Sequence, residues 1–126
     1  MLDPLLNVEA VDAALERLRP WVVRTPVFGW KTPEIRQMTD EDMQIIIKLE
    51  LLQNTNTFKP RGALNVMLNA DAAQLKNGIV AASGGNHGIA VAYAARQLGH
   101  QAKIFIPKTA SPLRRERIRS EERRVG

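Results

Sequence analysis

Residues 79–107 read IVAASGGNHGIAVAYAARQLGHQAKIFIP, and three kinds of segment follow one another within them. Ile79-Val80-Ala81-Ala82 is an apolar run too short for a helix and suited to a strand buried in a parallel sheet. A turn with two glycines, Gly84 and Gly85, follows it. From Asn86 to Leu98 the chain is alanine-rich and apolar almost all round, ending at Gly99, which predicts a helix sandwiched between other elements. Lys103-Ile104-Phe105-Ile106 then reads as a second strand, closed by Pro107. Strand, helix and strand joined by such short connections form a crossover, so the two strands are expected to be parallel and the fold class α/β, a parallel sheet with flanking helices.

Working outward, Asn7 is a good helix cap, and Val8, Val11, Leu15 and Leu18 recur at helical spacing up to Pro20. Met43–Leu51 predicts a strand with Ile45, Ile47, Leu49 and Leu51 on one face and Ile46, Lys48 and Glu50 on the other. Helical character resumes from Pro60 to about Asn69, and Asn77-Gly78 punctuates the chain before Ile79. Ser111 as cap with Pro112 at the first helical position starts a last helix. There is no internal repeat and no linker-like stretch. A parallel sheet of so few strands has uncovered edges, and the sequence stops where another strand is expected, so the chain reads as part of a larger domain.

The 126 residues contain no cysteine, 44% hydrophobic, 25% charged and 5% aromatic side chains, the profile of one soluble globular unit. Disulfide scaffolds, thiolate metal sites and cysteine nucleophiles are thereby excluded, and with two histidines no metal centre is expected. No apolar run approaches the roughly 20 residues that span a bilayer, and Met1-Leu2-Asp3-Pro4 does not open a secretory signal, so a cytoplasmic protein without membrane contact is expected. Residues 1–110 carry 12 basic and 10 acidic side chains, whereas 111–126 carry six arginines and three glutamates. The net charge of +5 therefore lies mostly in the tail. A body so near neutrality lacks the broad basic face that nucleic-acid binding needs.

Two motifs carry chemistry. The first runs from Lys48 to Ala63, KLELLQNTNTFKPRGA. Pro60 suits the first turn of a helix and puts Lys59 at or beside the N-cap, where the macrodipole is positive. If Phe58 also desolvates the site, both influences disfavour the ammonium and free an amine that can attack a carbonyl and form a Schiff base. A solvated surface lysine is the alternative. The second motif, Ala82-Ser83-Gly84-Gly85-Asn86-His87-Gly88, joins a strand to a helix. Its glycines expose backbone N–H groups at a positive helix end, which suits a carboxylate or phosphate. It reads equally as a cap, with Ser83 or Asn86 satisfying orphan N–H groups. His87 by itself reads as a structural histidine as readily as a catalytic one.

Together and in this order, the motifs resemble those of the pyridoxal-phosphate enzymes of fold type II, the tryptophan synthase β-like superfamily, and most closely its threonine dehydratase and serine racemase branch. The family pattern is approximately K-x-E-x-x-Q-x-T-G-S-F-K-x-R-G-A, followed by S-x-G-N-H at the end of the next strand. Lys48, Glu50, Gln53, Thr55, Phe58, Lys59, Arg61, Gly62 and Ala63 match the first part, and Ser83, Gly85, Asn86 and His87 the second. The flanks Arg24-Thr25-Pro26 and Ile106-Pro107 also fit, so the resemblance covers about residues 5–118.

The resemblance implies a pyridoxal 5'-phosphate enzyme of amino-acid metabolism, a threonine/serine ammonia-lyase of the kind that serves isoleucine biosynthesis. It converts a β-hydroxy amino acid to a 2-oxo acid and ammonia. Lys59 would hold the cofactor as a Schiff base and move the substrate α-proton, and Phe58 would pack against the cofactor ring. Asn86 would hydrogen-bond the ring 3'-oxygen, and Ser83, Gly84, Gly85, Asn86 and His87 would bracket the substrate carboxylate. A homo-oligomer is implied for the full-length protein. Two departures from the pattern are visible. Asn56-Thr57 stands where Gly-Ser is usual, and Gly84 stands where racemase-like members carry serine. Without a side-chain base at position 84, the reading tilts toward dehydratase; a racemase, another β-eliminating or β-replacing enzyme and a catalytically silent binding module remain the alternatives.

The family's glycine-rich phosphate loop and the polar partner of the ring nitrogen lie downstream of these motifs, which makes the chain an N-terminal portion, expected to be inactive alone. After Ile118 the family pattern would enter another strand. Here Arg119-Ser120-Glu121-Glu122-Arg123-Arg124-Val125-Gly126 follows, which resembles the translation of a sequencing-adapter oligonucleotide. Residues 1–118 are therefore expected to form the dehydratase portion, and 119–126 a non-native tail outside the fold.

Overall fold

The alanine-rich segment forms helix α5 (Asn86–Gln97); the computed structural model describes residues 7–40 and 43–123. In chain order the remaining elements are α1 (Val8–Leu18), β1 (Val27–Gly29), α2 (Pro33–Met38), β2 (Ile46–Lys48), α3 (Lys59–Asn69), α4 (Ala72–Leu75), β3 (Ile79–Ala82), β4 (Ala102–Phe105) and α6 (Pro112–Arg123). Helix α5 packs against α3, α6, β3 and β4, and Ala90, Val91, Ala94 and Ala95 along it are buried. Small side chains let the neighbours come close, which is what a helix apolar on every face allows. Gly99 closes the helix in the left-handed region, with φ of 73°.

The crossover is as expected. β3 and β4 pair in parallel, Ile79 opposite Ala102 through Ala82 opposite Phe105. Leu18, Ala63, Leu64, Met67, Ala90, Val91, Ala94 and Ala95 form one core cluster that joins α1, α3 and α5. Leu64 and Ile118 are 0% exposed, and full burial of such a side chain contributes about 1.5 to 3 kcal/mol. Asn7 caps α1, its side chain accepting from the N–H of Ala10 at 2.7 Å.

The predicted strand at 43–51 is shorter and lies elsewhere. Only Ile46–Lys48 is extended, and it pairs antiparallel with β1 in a separate two-stranded sheet, Val27 opposite Lys48. Alternation stops because Glu50–Leu52 turns into a 3-10 helix, leaving Leu51 60% exposed, while the Glu50 carboxylate turns to partners in other segments. The boundary expected at residue 118 has no counterpart in the helix: α6 runs on to Arg123. One turn after the buried Ile118, Glu121 meets Arg96 of α5 at 2.6 Å, as residues three apart share a helix face.

Candidate active site

The lysine named by the first motif begins a helix. Lys59 is the first residue of α3, Phe58 is the N-cap, and Pro60 occupies the first turn, where its missing N–H costs nothing. The Lys59 Nζ lies 4.8 Å from the Phe58 ring centroid. Phe58 is 56% exposed, so the ring flanks the lysine without taking it out of water, which corrects the expected desolvation.

The approach to α3 is a second 3-10 turn, Asn54–Asn56, in which Thr55 and Asn56 have φ of 65° and 58°. That left-handed pair gives a physical reason for glycine in the related pattern and for asparagine here, the non-glycine residue best suited to positive φ. Thr55 is β-branched, costs more in this region, and its hydroxyl is buried without a hydrogen-bond partner.

The second motif forms the strand-to-helix turn. Ser83 N–H donates to the Phe105 carbonyl at 2.9 Å, and the Ser83 Oγ accepts from the N–H of Gly85 at 3.2 Å. Gly85 itself is the N-cap of α5, and no side chain caps that helix. Neither Ser83 nor Asn86 therefore serves as the expected cap, and the first N–H groups of α5, from Asn86, His87 and Gly88, remain available to an acceptor. Gly84 is tightly packed: a Cβ there would lie 2.8 Å from the Ala110 Cβ and 3.1 Å from the Pro107 Cδ.

Matched residues without an obvious chemical role build a polar clamp. The Arg61 guanidinium donates to both oxygens of Glu50, at 2.8 Å each, and to the Val23 carbonyl at 3.1 Å. Thr25 Oγ1 donates to the same carboxylate, and Lys48 Nζ donates to the Thr25 carbonyl at 3.0 Å. Arg61 and, less strongly, Thr25 hold the Glu50 carboxyl at about 2, against the cost of burial. Gln53, 2% exposed, holds Val23 by both backbone groups, accepting from its N–H at 2.9 Å and donating to its carbonyl at 2.8 Å. The spacing of Lys48, Glu50, Gln53 and Arg61 signals a family; that they grip residues 23–25 is visible only in three dimensions.

An open cleft of about 610 Å³ is lined by Phe58, Lys59, Arg61 and Gly62 of the first motif, by Ile79 and Ala81 of β3 and by His87, whereas Ser83, Gly84, Gly85 and Asn86 of the second motif do not line it. Ser83 and Gly84 border a separate hollow of about 420 Å³ with Phe105, Ile106 and Pro107. At Gly62 and Gly85 a Cβ would meet nothing within 4 Å beyond the adjoining residues and, at Gly62, the helix's own backbone. A lysine, an aromatic ring, an uncapped helix start and glycines facing open space suit a flat aldehyde cofactor that carries an anionic substrate. The family model described as pyridoxal-phosphate dependent enzyme matches residues 18–125. The chain belongs to that family.

Among curated relatives, phenylserine dehydratase of Ralstonia pickettii is 43% identical over 110 residues, covering 87% of this chain and 32% of the relative. L-threo-3-hydroxyaspartate ammonia-lyase of a Pseudomonas species is 44% identical over 106 residues, covering 84% and 32%. Maize serine racemase is similar in structure, with a TM-score of 0.79, 34% identity and coverage of 91% of this chain and 34% of that one. The chain thus spans about a third of the length of these relatives. Among its described residues, no helix is long and apolar enough to cross a membrane.

Proposed function

We propose that this chain is the N-terminal part of a pyridoxal-phosphate-dependent ammonia-lyase acting on a β-hydroxy amino acid, giving a 2-oxo acid and ammonia. The observation that carries the proposal is the shared cleft, in which Lys59 and Phe58 at the start of α3 are joined by His87 at the uncapped start of α5. Pyridoxal phosphate, when bound, supplies an electron sink for the substrate's α-carbon. The Lys59 Nζ would hold the cofactor and would be the group that takes the proton from the substrate Cα. Phe58 would pack beside the cofactor ring, and Asn86 would hold its ring oxygen by a hydrogen bond. Ser83, Gly84, Gly85, Asn86 and His87 receive the substrate carboxylate, whose charge is matched by the N–H groups and positive end of α5.

Gly84 favours elimination over racemisation. A side chain able to exchange a proton on the second face would begin with a Cβ 2.8 Å from Ala110, so the packing leaves it no room. The relatives named for dehydration of phenylserine and for ammonia release from hydroxyaspartate support the same class, with threonine and serine as the simplest substrates to try. We place the full-length protein in the cytoplasm as a homo-oligomer with amino acids, and neither nucleic acid nor membrane, as partners. We read residues 1–118 as its native portion and 119–126 as foreign in origin.

The test is a chain extended to the length of the relatives and incubated with threonine, serine, phenylserine and 3-hydroxyaspartate. Accumulation of 2-oxo acid and ammonia supports the lyase. Inversion of the amino acid without 2-oxo acid would assign a racemase instead, and a folded protein that takes up no cofactor would assign a silent binding module. The 126-residue chain alone is expected to show no steady turnover above a cofactor-only control.

A further inference from the structure

We infer that Glu50 is a positioning residue for Lys59, acting through Arg61; the inference rests on Lys59 being the cofactor lysine. Arg61 is the third residue of α3, and its N–H donates to the Phe58 carbonyl at 3.1 Å, so its backbone belongs to the turn from which Lys59 projects. Its side chain is 26% exposed and is held at two points along one guanidinium edge, through Nε and Nη2, by a carboxylate that is itself 19% exposed. A bidentate pair of this kind sets direction as well as distance. Glu50 is also the point where three segments meet, because Thr25 and Lys48 converge on it from the preceding loop and from β2.

The segment between Glu50 and Lys59 needs such an anchor. Thr55 and Asn56 are both left-handed, and each such residue costs on the order of 1 to 3 kcal/mol unless its surroundings impose the conformation. Asn56 Nδ2 contributes one local bond, to the Leu51 carbonyl at 3.1 Å. The Glu50–Arg61 pair spans the whole strained segment, tying its first residue to the turn that follows it. Released from the pair, the segment can relax its φ angles and turn the start of α3, carrying the Lys59 amine away from the cleft. Neither Glu50 nor Arg61 needs to touch the cofactor for this effect.

The experiment uses a chain extended to the length of the relatives, with free pyridoxal phosphate as the probe. After borohydride reduction, mass spectrometry of the peptides gives the share of label on Lys59 relative to Lys31, Lys76 and Lys108. The wild-type chain is expected to label Lys59 preferentially. Glu50→Gln, close in shape but unable to hold the guanidinium by charge, should lower that preference about tenfold, as misplacement of a reacting group by a fraction of an ångström does. Glu50→Asp should recover part of it. Arg61→Lys keeps the charge but not the two-point contact, and should lose preference in a chain whose circular dichroism matches wild type. That variant decides the matter if Glu50→Gln fails to fold. Preferential wild-type labelling that survives in folded Glu50→Gln or Arg61→Lys overturns the positioning role alone. A wild-type chain with no preference for Lys59 overturns it together with the assignment of the cofactor lysine.

Discussion

Two glycines in neighbouring helices should respond to alanine with opposite signs. Gly88 lies in the first turn of α5, where a Cβ would meet the Ser83 carbonyl oxygen at 2.7 Å, Ile118 Cδ1 at 3.1 Å and Ile104 Cγ2 at 3.2 Å. Alanine in a helix interior gains about 1 kcal/mol over glycine, whereas overpacking a filled site costs about 1 to 3 kcal/mol. At Gly88 the nearest atom is backbone at the end of β3 and cannot rotate away. The upper part of that range applies, for a net loss of about 2 kcal/mol. At roughly 4 °C per kcal/mol for a chain of this length, the midpoint of thermal unfolding should fall by about 8 °C. Gly62, in α3, has nothing within 4 Å of its would-be Cβ apart from its chain neighbours and its own helix backbone, so Gly62→Ala should keep the helical gain of up to about 1 kcal/mol. Because Gly62 lines the cleft, that gain should come with weaker cofactor uptake. Circular-dichroism melts of both variants beside wild type make the comparison. A Gly88→Ala midpoint at or above wild type would show that α5 and β3 do not approach as described.

In a chain extended to the relatives' length, Lys59→Ala and Lys59→Arg should each abolish the visible absorption of the lysine-bound cofactor. Both should reduce turnover by several orders of magnitude with little change in stability, while Lys48→Arg, which keeps a cation beside Thr25 and Glu50, should be mild; the reverse pattern would mean the wrong lysine is named. Acid should weaken the fold through Glu50. Its folded-state value, about 2, lies below the ordinary 4.5, so the stabilisation is complete above 4.5 and disappears as pH falls from there toward 2. Partial exposure reduces the contribution to about 1 to 2 kcal/mol, and urea titrations of Glu50→Gln should lack that component of the pH dependence. Glu121→Gln, or truncation after Ile118, removes the charged partner of Arg96, whose side chain is 16% exposed. Either change should cost about 1 to 2 kcal/mol while unfolding stays cooperative, and an unaltered midpoint would place 119–126 outside the fold.

The parts of the fold that were legible in the sequence are those in which one local signal meets no competitor. Asn7 before an apolar period, Ile79–Ala82 between two turns and the alanine run from Asn86 each became the predicted element within a residue or two. β1 and α2 were not anticipated. Val27–Gly29 is three residues long and exposed, so it carries no alternation to read, although Thr32-Pro33 ahead of α2 was an available capping signal. The strand around β2 was overextended because alternation through Glu50 and Leu51 mimicked a pleat, whereas the Glu50 carboxylate is drawn out of the strand by Arg61, eleven residues away. Local patterns carry no term for such a partner.

The same division runs through the candidate site. Lys59 at a helix start and the glycine turn before Asn86 could be read as chemistry from charge and backbone freedom alone, since both depend on elements adjacent in sequence. Their convergence could not, because the cleft exists only once α5 returns against α3 and brings His87 to the side where Lys59 emerges. Lys48, Glu50, Gln53 and Arg61 are the reverse case: they were visible as a pattern but carried no reason. Their bonds to residues 23–25 supply it, since they hold the turn beneath Lys59 from outside the helix. The motif is long because it joins the start of α3 to the segments that hold that start in place.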